Sequence, residues 1–404
     1  MRIEQIKQDR VASRSRLTAH VVWEDSDQSP CDVYFEADGE CADAICYSPE
    51  AFVSAALTPA LWAGERRIAV DGEVCPEFLD NVAVVTKTFQ HWFPQISQTM
   101  PVEAKRRASA QTGQKRSAFF FTGGVDSLAA LRANRLTFPA DHPASVKDGI
   151  IVFNLEVEDP QAFQYALRAL SVIAEDAQVT LVPVSTNLRI LKDDWKFWWT
   201  AHMGPALGAM AHALSRRIGS AIIASDYDIP NMRPHGSHPL VDPYFSSFDL
   251  KIRYDGTALS RLDKLRLLAG WQIGLDNLRV CNKQEQYQPG RFNCGECEKC
   301  LRTMLGLLAA KALDKTTAFP HRDLSADLVA HQIRIWPTVQ PFYEEVVQPL
   351  RAIGRDDIAT VVERALENAR GEDGFRGRIK RFDRVHLNGG LNALRRAILP
   401  NGKA

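Results

Sequence analysis

The stretch Phe119-Phe120-Phe121-Thr122-Gly123-Gly124-Val125-Asp126-Ser127-Leu128-Ala129-Ala130-Leu131 limits what this chain can fold into more than any other. An apolar run, a glycine pair, an Asp and a Ser, then Ala and Leu at helical spacing read as strand, tight turn and helix N-terminus. Adjacent glycines let the backbone curl so that several N–H groups point at one spot, and the missing Cβ leaves room for a ligand. The helix behind them offers its unpaired N–H groups and the positive end of its dipole, so an anion is favoured there. Ser127 adds a hydroxyl donor, and Asp126 suits a Mg²⁺ ion that accompanies a polyphosphate. A capped Gly-Gly turn without a ligand is the plainer alternative. The spacing and lysine of a Walker A loop are absent.

Thr122 to Ser127 resembles the PP-loop, S-G-G-x-D-S, of the N-type ATP pyrophosphatase superfamily, with Thr122 in place of the usual Ser. That resemblance implies cleavage of ATP between its α and β phosphates and adenylation of a substrate oxygen.

From Ser117 onward the pattern alternates. Strands are expected at 117–121, 149–154, 179–184 and 221–224, and helices from 128, at 161–174 and at 204–218. Such alternation implies an α/β fold with a doubly wound parallel sheet and ligands at the carboxyl ends of its strands. Besides Thr122, Gly123, Gly124, Val125, Asp126 and Ser127, this places Asn154 and Leu155, Ser185 and Asp226 at the nucleotide crevice. Residues 226–256, rich in Pro, His, Tyr and Ser, read as a substrate loop, since loops this long in a compact domain usually serve a function. For His235 and His238, loop hydrogen bonding or substrate contact is expected over metal.

Cys281, Cys294, Cys297 and Cys300 are spaced C-x₁₂-C-x₂-C-x₂-C. A C-x-x-C turn aims its thiolates at one ion, and a full thiolate shell leaves no open position for water, so structural Zn²⁺ is expected. An Fe–S cluster or free thiols are the alternatives for such a set. The loop and the cysteines together resemble the 7-cyano-7-deazaguanine synthase family of the queuosine pathway. Ser260-Arg261-Leu262-Asp263-Lys264, Leu278-Arg279-Val280-Cys281 and Arg302 fit as well.

The resemblance covers about residues 117–310 and implies an adenine-nucleotide α-hydrolase-like sheet with a zinc-bound end. It implies ATP and Mg²⁺ as well as Zn²⁺, attack of a carboxylate on the α-phosphate, and displacement of AMP by ammonia or another amine. Asp126, Ser127 and Lys264 would carry the chemistry, Lys264 by neutralising phosphate charge. A homodimer would match the family. The family's Pro-Asp-Cys-Arg loop gives way here to His238-Pro239-Leu240-Val241-Asp242-Pro243-Tyr244, and its Arg-Asn segment to His202-Met203-Gly204-Pro205. Both changes fall where the substrate should sit. A PP-loop enzyme acting on tRNA or a protein terminus is therefore the runner-up, and a nucleotide-binding regulatory module without turnover a third reading.

Residues 1–110 read as a separate small α+β domain. Strands are expected at 17–23, 31–35 and 67–70, a turn at Asp71-Gly72, and helices at 51–62 and 78–92. Cys31, Cys41, Cys46 and Cys75 lack metal-ligand spacing and read as free thiols. Residues 103–115 read as a linker. The ATP domain should span 116–314, and 315–404 should be helical, with helices at 323–335, 342–353 and 356–368. The basic run Arg376 to Arg381 reads as a surface helix or a contact for RNA or a carrier protein.

The charge distribution is uneven, with 14 acidic against 3 basic residues over 16–85 and 9 basic against 3 acidic over 370–404. Formal net charge is nevertheless zero, which gives no global argument for nucleic acid. No apolar run suits a bilayer and the first residues lack a signal-peptide core, so a cytoplasmic location is expected.

Overall fold

The computed structural model describes residues 1–96, 99–108 and 115–371. The chain divides into two compact units, Met1–Cys294 with Thr316–Pro320, and Gly295–Lys315 with the segment from His321 onward. The basic run at 376–381 lies outside the described residues.

The first unit holds a ten-stranded sheet. Its strands are β1 (Arg2–Val11), β2 (Arg14–Val22), β3 (Cys31–Asp38), β4 (Ile68–Val74), β5 (Val102–Arg106), β6 (Arg116–Phe120), β7 (Asp148–Phe153), β8 (Thr180–Thr186), β9 (Ile218–Ala224) and β10 (Lys251–Asp255). They lie in the order β10-β9-β6-β7-β8-β3-β2-β1-β4-β5. From β10 to β8 every neighbouring pair is parallel. Then β8–β3, β3–β2 and β2–β1 are antiparallel, and β1–β4 and β4–β5 parallel.

Parallel neighbours need long crossovers. The helices Val125–Thr137, Pro160–Asp176 and Met203–Ala213 supply them after β6, β7 and β8. Pro160–Asp176 starts with a proline at its first position and the Asp159 carboxylate accepting from Ala162 N–H at 2.6 Å. It buries Phe163, Ala166, Leu170 and Ile173, one helical face. Central β6 is buried from Ser117 to Phe120, as a strand covered on both faces must be. At the start of β7, fully buried Asp148 is held by Arg116 at 2.8 Å and Arg217 at 2.8 Å.

Strands β1 to β5 belong to this same sheet. Strand β3 pairs with β8, Phe35 opposite Thr186 and Glu36 opposite Ser185, so the N-terminal strands extend the parallel ones. Their core is also shared, since Phe35 and Phe52 belong to the same buried cluster as Val182 and Phe245. Each such side chain contributes about 1.5–3 kcal/mol by leaving water.

Other expectations shift as well. Asp71-Gly72 lies within β4, residues 103–106 are in β5 rather than a linker, and Lys251–Asp255 is an edge strand inside the long segment expected to be loop. The helix expected to reach 218 ends at Ala213, and β9 begins at Ile218.

One irregularity matters for the site. Trp198–His202 forms a π-helical turn directly ahead of Met203–Ala213. Such a turn shifts the backbone pairing by one residue. The Trp199 carbonyl takes the Gly236 N–H at 2.7 Å, and Gly204 N–H donates to the Gly236 carbonyl at 2.6 Å.

The second unit is helical over Glu298–Ala309, Ala326–Gln332, Gln340–Ala352 and Asp356–Gly371. Buried Tyr343 donates to Glu298 at 3.2 Å, and Arg302 pairs with Glu298 at 3.0 Å. Burial pushes the Tyr343 hydroxyl pKa up. Among the described residues no helix is long and apolar enough to cross a membrane.

Candidate functional site

Strand order reverses around β6, which has β7 on one side and β9 on the other. Crevices of this kind open at the carboxyl ends of the strands. The segments leaving β6 and β9 there are Phe121 to Gly124 and Ser225-Asp226.

Gly123 adopts φ +75°, a conformation that favours glycine, and a Cβ there would stand 3.0 Å from Leu170 Cδ2. Gly124 caps the helix, and the first intrahelical bond runs from Leu128 N–H to the Gly124 carbonyl. Amides ahead of Leu128 have no acceptor within the helix. Thr122 Oγ1 accepts from Gly124 N–H at 3.3 Å and donates to Ser127 Oγ at 3.2 Å. Buried Ser127 donates to the Gly124 carbonyl at 3.1 Å, so its hydroxyl braces the loop from within. Val125 is buried beneath the turn.

Asp126 meets two cations. Its Oδ1 accepts from Lys264 at 2.9 Å and its Oδ2 from Arg261 at 3.1 Å. Both cations rise from the helix Arg261–Ala269, one turn apart, with Ser260 capping the Asp263 N–H at 3.2 Å. Lys264 also donates to the Ser225 carbonyl at 2.5 Å and to Ser225 Oγ at 3.4 Å. A nearly buried ammonium thus joins the ends of β6 and β9.

Asp226 follows, with His235 Nδ1 3.7 Å from its Oδ2. Burial, together with the nearby Arg233 charge, lowers the His235 pKa to about 4, leaving a neutral imidazole at pH 7. Beyond it lies Asp242, wholly buried, accepting from Ser237 Oγ at 2.5 Å and His238 N–H at 3.1 Å. Burial raises its pKa to about 7 against the pull of those hydrogen bonds. Asp242 therefore supports the loop from inside rather than facing a substrate. Gly204 must be glycine because a Cβ would lie 2.1 Å from Asp242 Oδ1.

Asn154 and Leu155 follow the carboxyl end of β7, and Ser185 lies near the carboxyl end of β8. Asn154, at φ +64°, donates its N–H to Val157 at 2.9 Å, and the buried Leu155 gives its carbonyl to Arg189 at 3.3 Å. Ser185 is a β8 residue paired with Glu36.

Cys281, Cys294, Cys297 and Cys300 offer sulfurs that all lie within 4.8 Å of one another. A tetrahedral Zn²⁺ with bonds of about 2.3 Å holds its sulfurs about 3.8 Å apart, so a small relaxation closes the set. The donors fit a structural metal. Asn293 shapes the arm around Cys281, accepting from Val280 and Cys281 N–H at 2.9 and 3.2 Å and donating to the Leu278 and Ala318 carbonyls at 2.7 and 2.9 Å.

Sequence reading gave no role to Arg261, Asn293 or Arg279. For Arg261 a signal existed, its three-residue spacing from Lys264 on one helix face. Asn293 gave none, since its partners are all main chain. No protein-family model, curated protein or solved structure matches the chain.

Proposed function

We propose that this chain is an ATP-dependent carbon–nitrogen ligase of the PP-loop type. It would adenylate a carboxylate with release of pyrophosphate, after which ammonia or an amine displaces AMP. The observation that carries this reading is Lys264, which reaches both Asp126 after β6 and Ser225 after β9. A buried ammonium at a strand-order reversal, facing a Gly-Gly turn and a helix N-terminus, suits developing phosphate charge.

In chain order the parallel strands lie as third, second, first, fourth, fifth, which agrees with a doubly wound nucleotide-binding sheet. Gly123 and Gly124 would receive the β and γ phosphates with their amides. Lys264 and Arg261 would shift from Asp126 onto the leaving pyrophosphate as its charge grows, and Asp126 would take a hard divalent cation. The crevice contributes positioning and charge, and the acid's own oxygen is the nucleophile. Zinc, when bound, supplies folding free energy to the cysteine arm and no chemistry, because thiolates fill its shell.

The His235–Asp226 pair and the loop that Asp242 supports from inside would line the acid's side, where the chain departs from the synthases. A 7-deazapurine acid is the first candidate substrate. The test is ATP–pyrophosphate exchange and AMP release by purified protein across a panel of carboxylic acids beginning with that one. Nucleotide binding without exchange or AMP for any acid would replace the ligase with a regulatory nucleotide-binding module.

A further inference from the structure

Arg279 lies two residues before Cys281 and holds the Gly-Gly turn from behind. Its N–H donates to the Gly123 carbonyl at 2.9 Å. Its guanidinium donates twice to the Thr122 carbonyl, from Nε at 3.0 Å and Nη2 at 2.5 Å. Nη1 donates to Tyr287 Oη at 3.2 Å, and that hydroxyl donates to the Cys281 carbonyl at 2.6 Å. The Cys281 N–H is held in turn by Asn293, the neighbour of Cys294. A continuous run of hydrogen bonds therefore joins the metal-ligand arm to the turn.

The direction of those bonds has a consequence. In a trans peptide the N–H points opposite to the carbonyl. Pulling the Thr122 and Gly123 carbonyls toward Arg279 aims the Gly123 and Gly124 N–H groups the other way, the latter within 3.3 Å of Thr122 Oγ1 at the mouth of the turn. Leu170 prevents the turn from rolling aside, being 3.0 Å from where a Gly123 Cβ would stand. The turn's shape thus depends on the position of Arg279, and that position depends on the backbone at Cys281. Without a metal, the Cys281 arm loses its tie to the other thiolates and Arg279 loses its fixed base.

The geometry points to Arg279 as a positioning residue that couples metal occupancy at the cysteine cluster to nucleotide affinity at the turn. This rests on reading the turn as a phosphate cradle. Coupling is reciprocal by thermodynamic necessity, so nucleotide must tighten metal binding by the factor by which metal tightens nucleotide.

Calorimetry with α,β-methylene-ATP and Mg²⁺ gives the first measurement, on zinc-loaded and chelator-treated full-length protein. Zinc removal should weaken binding by about 5-fold or more, within the usual range of such couplings. Arg279→Ala should weaken it comparably while keeping its zinc, and chelation should then add little. Arg279→Lys should recover part of the loss, since an ammonium still reaches one carbonyl. The second measurement is zinc transfer from the protein to a chromophoric chelator. In wild type the nucleotide should slow it by a similar factor, and in Arg279→Ala it should not.

If the zinc-loaded wild type does not bind the analogue, the cradle reading falls and this inference with it. If it binds equally well with and without zinc, or a folded Arg279→Ala behaves as wild type, the cradle stands and the coupling is wrong. Should Arg279→Ala fail to fold, zinc transfer from wild type with and without nucleotide still decides.

Discussion

Lys264 donates to Asp126 at 2.9 Å, yet the partners are unequally shielded, with 2% of the Lys264 side chain exposed against 27% of Asp126. Removing one partner should therefore cost more on one side than on the other. Asp126→Asn leaves a nearly buried ammonium with neutral acceptors, and is expected to lower stability by about 2–4 kcal/mol. Lys264→Met keeps an apolar stem and leaves Asp126 with Arg261, and should cost less than about 2 kcal/mol. Urea denaturation of the variants checks this ordering, and equal losses would contradict it. Both should reduce pyrophosphate exchange by roughly 10²-fold or more, as losing a preorganised charge does.

The cysteine cluster should hold about one Zn²⁺ per chain, and Cys297→Ser should lose it. Because ligation is linked to folding, the variant should melt lower than wild type. Metal analysis with calorimetric melting is the check, and an unchanged melting temperature in a metal-free preparation would exclude a structural metal.

Gly236 fits against the π-helical turn with no room for a side chain. A Cβ would stand 2.5 Å from the Trp198 carbonyl oxygen and 2.9 Å from that of Trp199, both main-chain atoms. Gly236→Ala should destabilise the protein by about 1–3 kcal/mol through overpacking. Gly290→Ala is the control, because its φ of +71° is strained for alanine while nothing lies within 4 Å. The control should cost about 1 kcal/mol, the low end of what a left-handed backbone costs a non-glycine residue, with no overpacking added. Denaturation midpoints that fail to separate the two would show that the turn yields easily.

Asp242 predicts a pH dependence. Its folded pKa, raised by burial to about 7, exceeds its ordinary value of 3.8, so between those values the folded state binds more protons. Its contribution is fully present below about pH 4 and is lost as pH rises through 7. His202 acts oppositely. Burial lowers its pKa from 6.5 to about 3, so its contribution is present above 6.5 and is lost as pH falls through about 3. Wild type should therefore lose stability relative to Asp242→Asn between about pH 4 and 7, and no further above 7. Parallel stability curves for the two proteins across that range would contradict a neutral buried carboxyl.

Much of the parallel half was legible in sequence because its strands are covered on both faces and end in turn chemistry. Phe119-Phe120-Phe121 before Gly123-Gly124 leaves few alternatives, and the cysteine spacing marks its cluster directly. Strand β1 was missed. Its run Arg-Ile-Glu-Gln-Ile-Lys-Gln-Asp-Arg-Val is largely exposed, and its pairing with β2 slips between Glu4 and Lys7. Strand β5 offers only Val-Glu-Ala-Lys-Arg at a charged sheet edge. The joining of β3 to β8 is a main-chain pairing between distant segments, and no side-chain pattern announces it. Arg279 stood in a stretch that fits the family, but its hold on the Thr122 carbonyl is a side-chain to main-chain contact that no spacing announces.

The pairing of Phe35 with Thr186 sets an order on synthesis. A chain made from its N-terminus must hold β3, paired with β2 on one side only, until the segment around residue 186 has emerged, roughly 10–30 s later at ordinary translation rates. The exposed margin of β3 is a liability for that interval, open to pairing with another nascent chain. Folding yield should accordingly fall more steeply with expression rate than for a protein whose neighbouring strands are also neighbours in sequence.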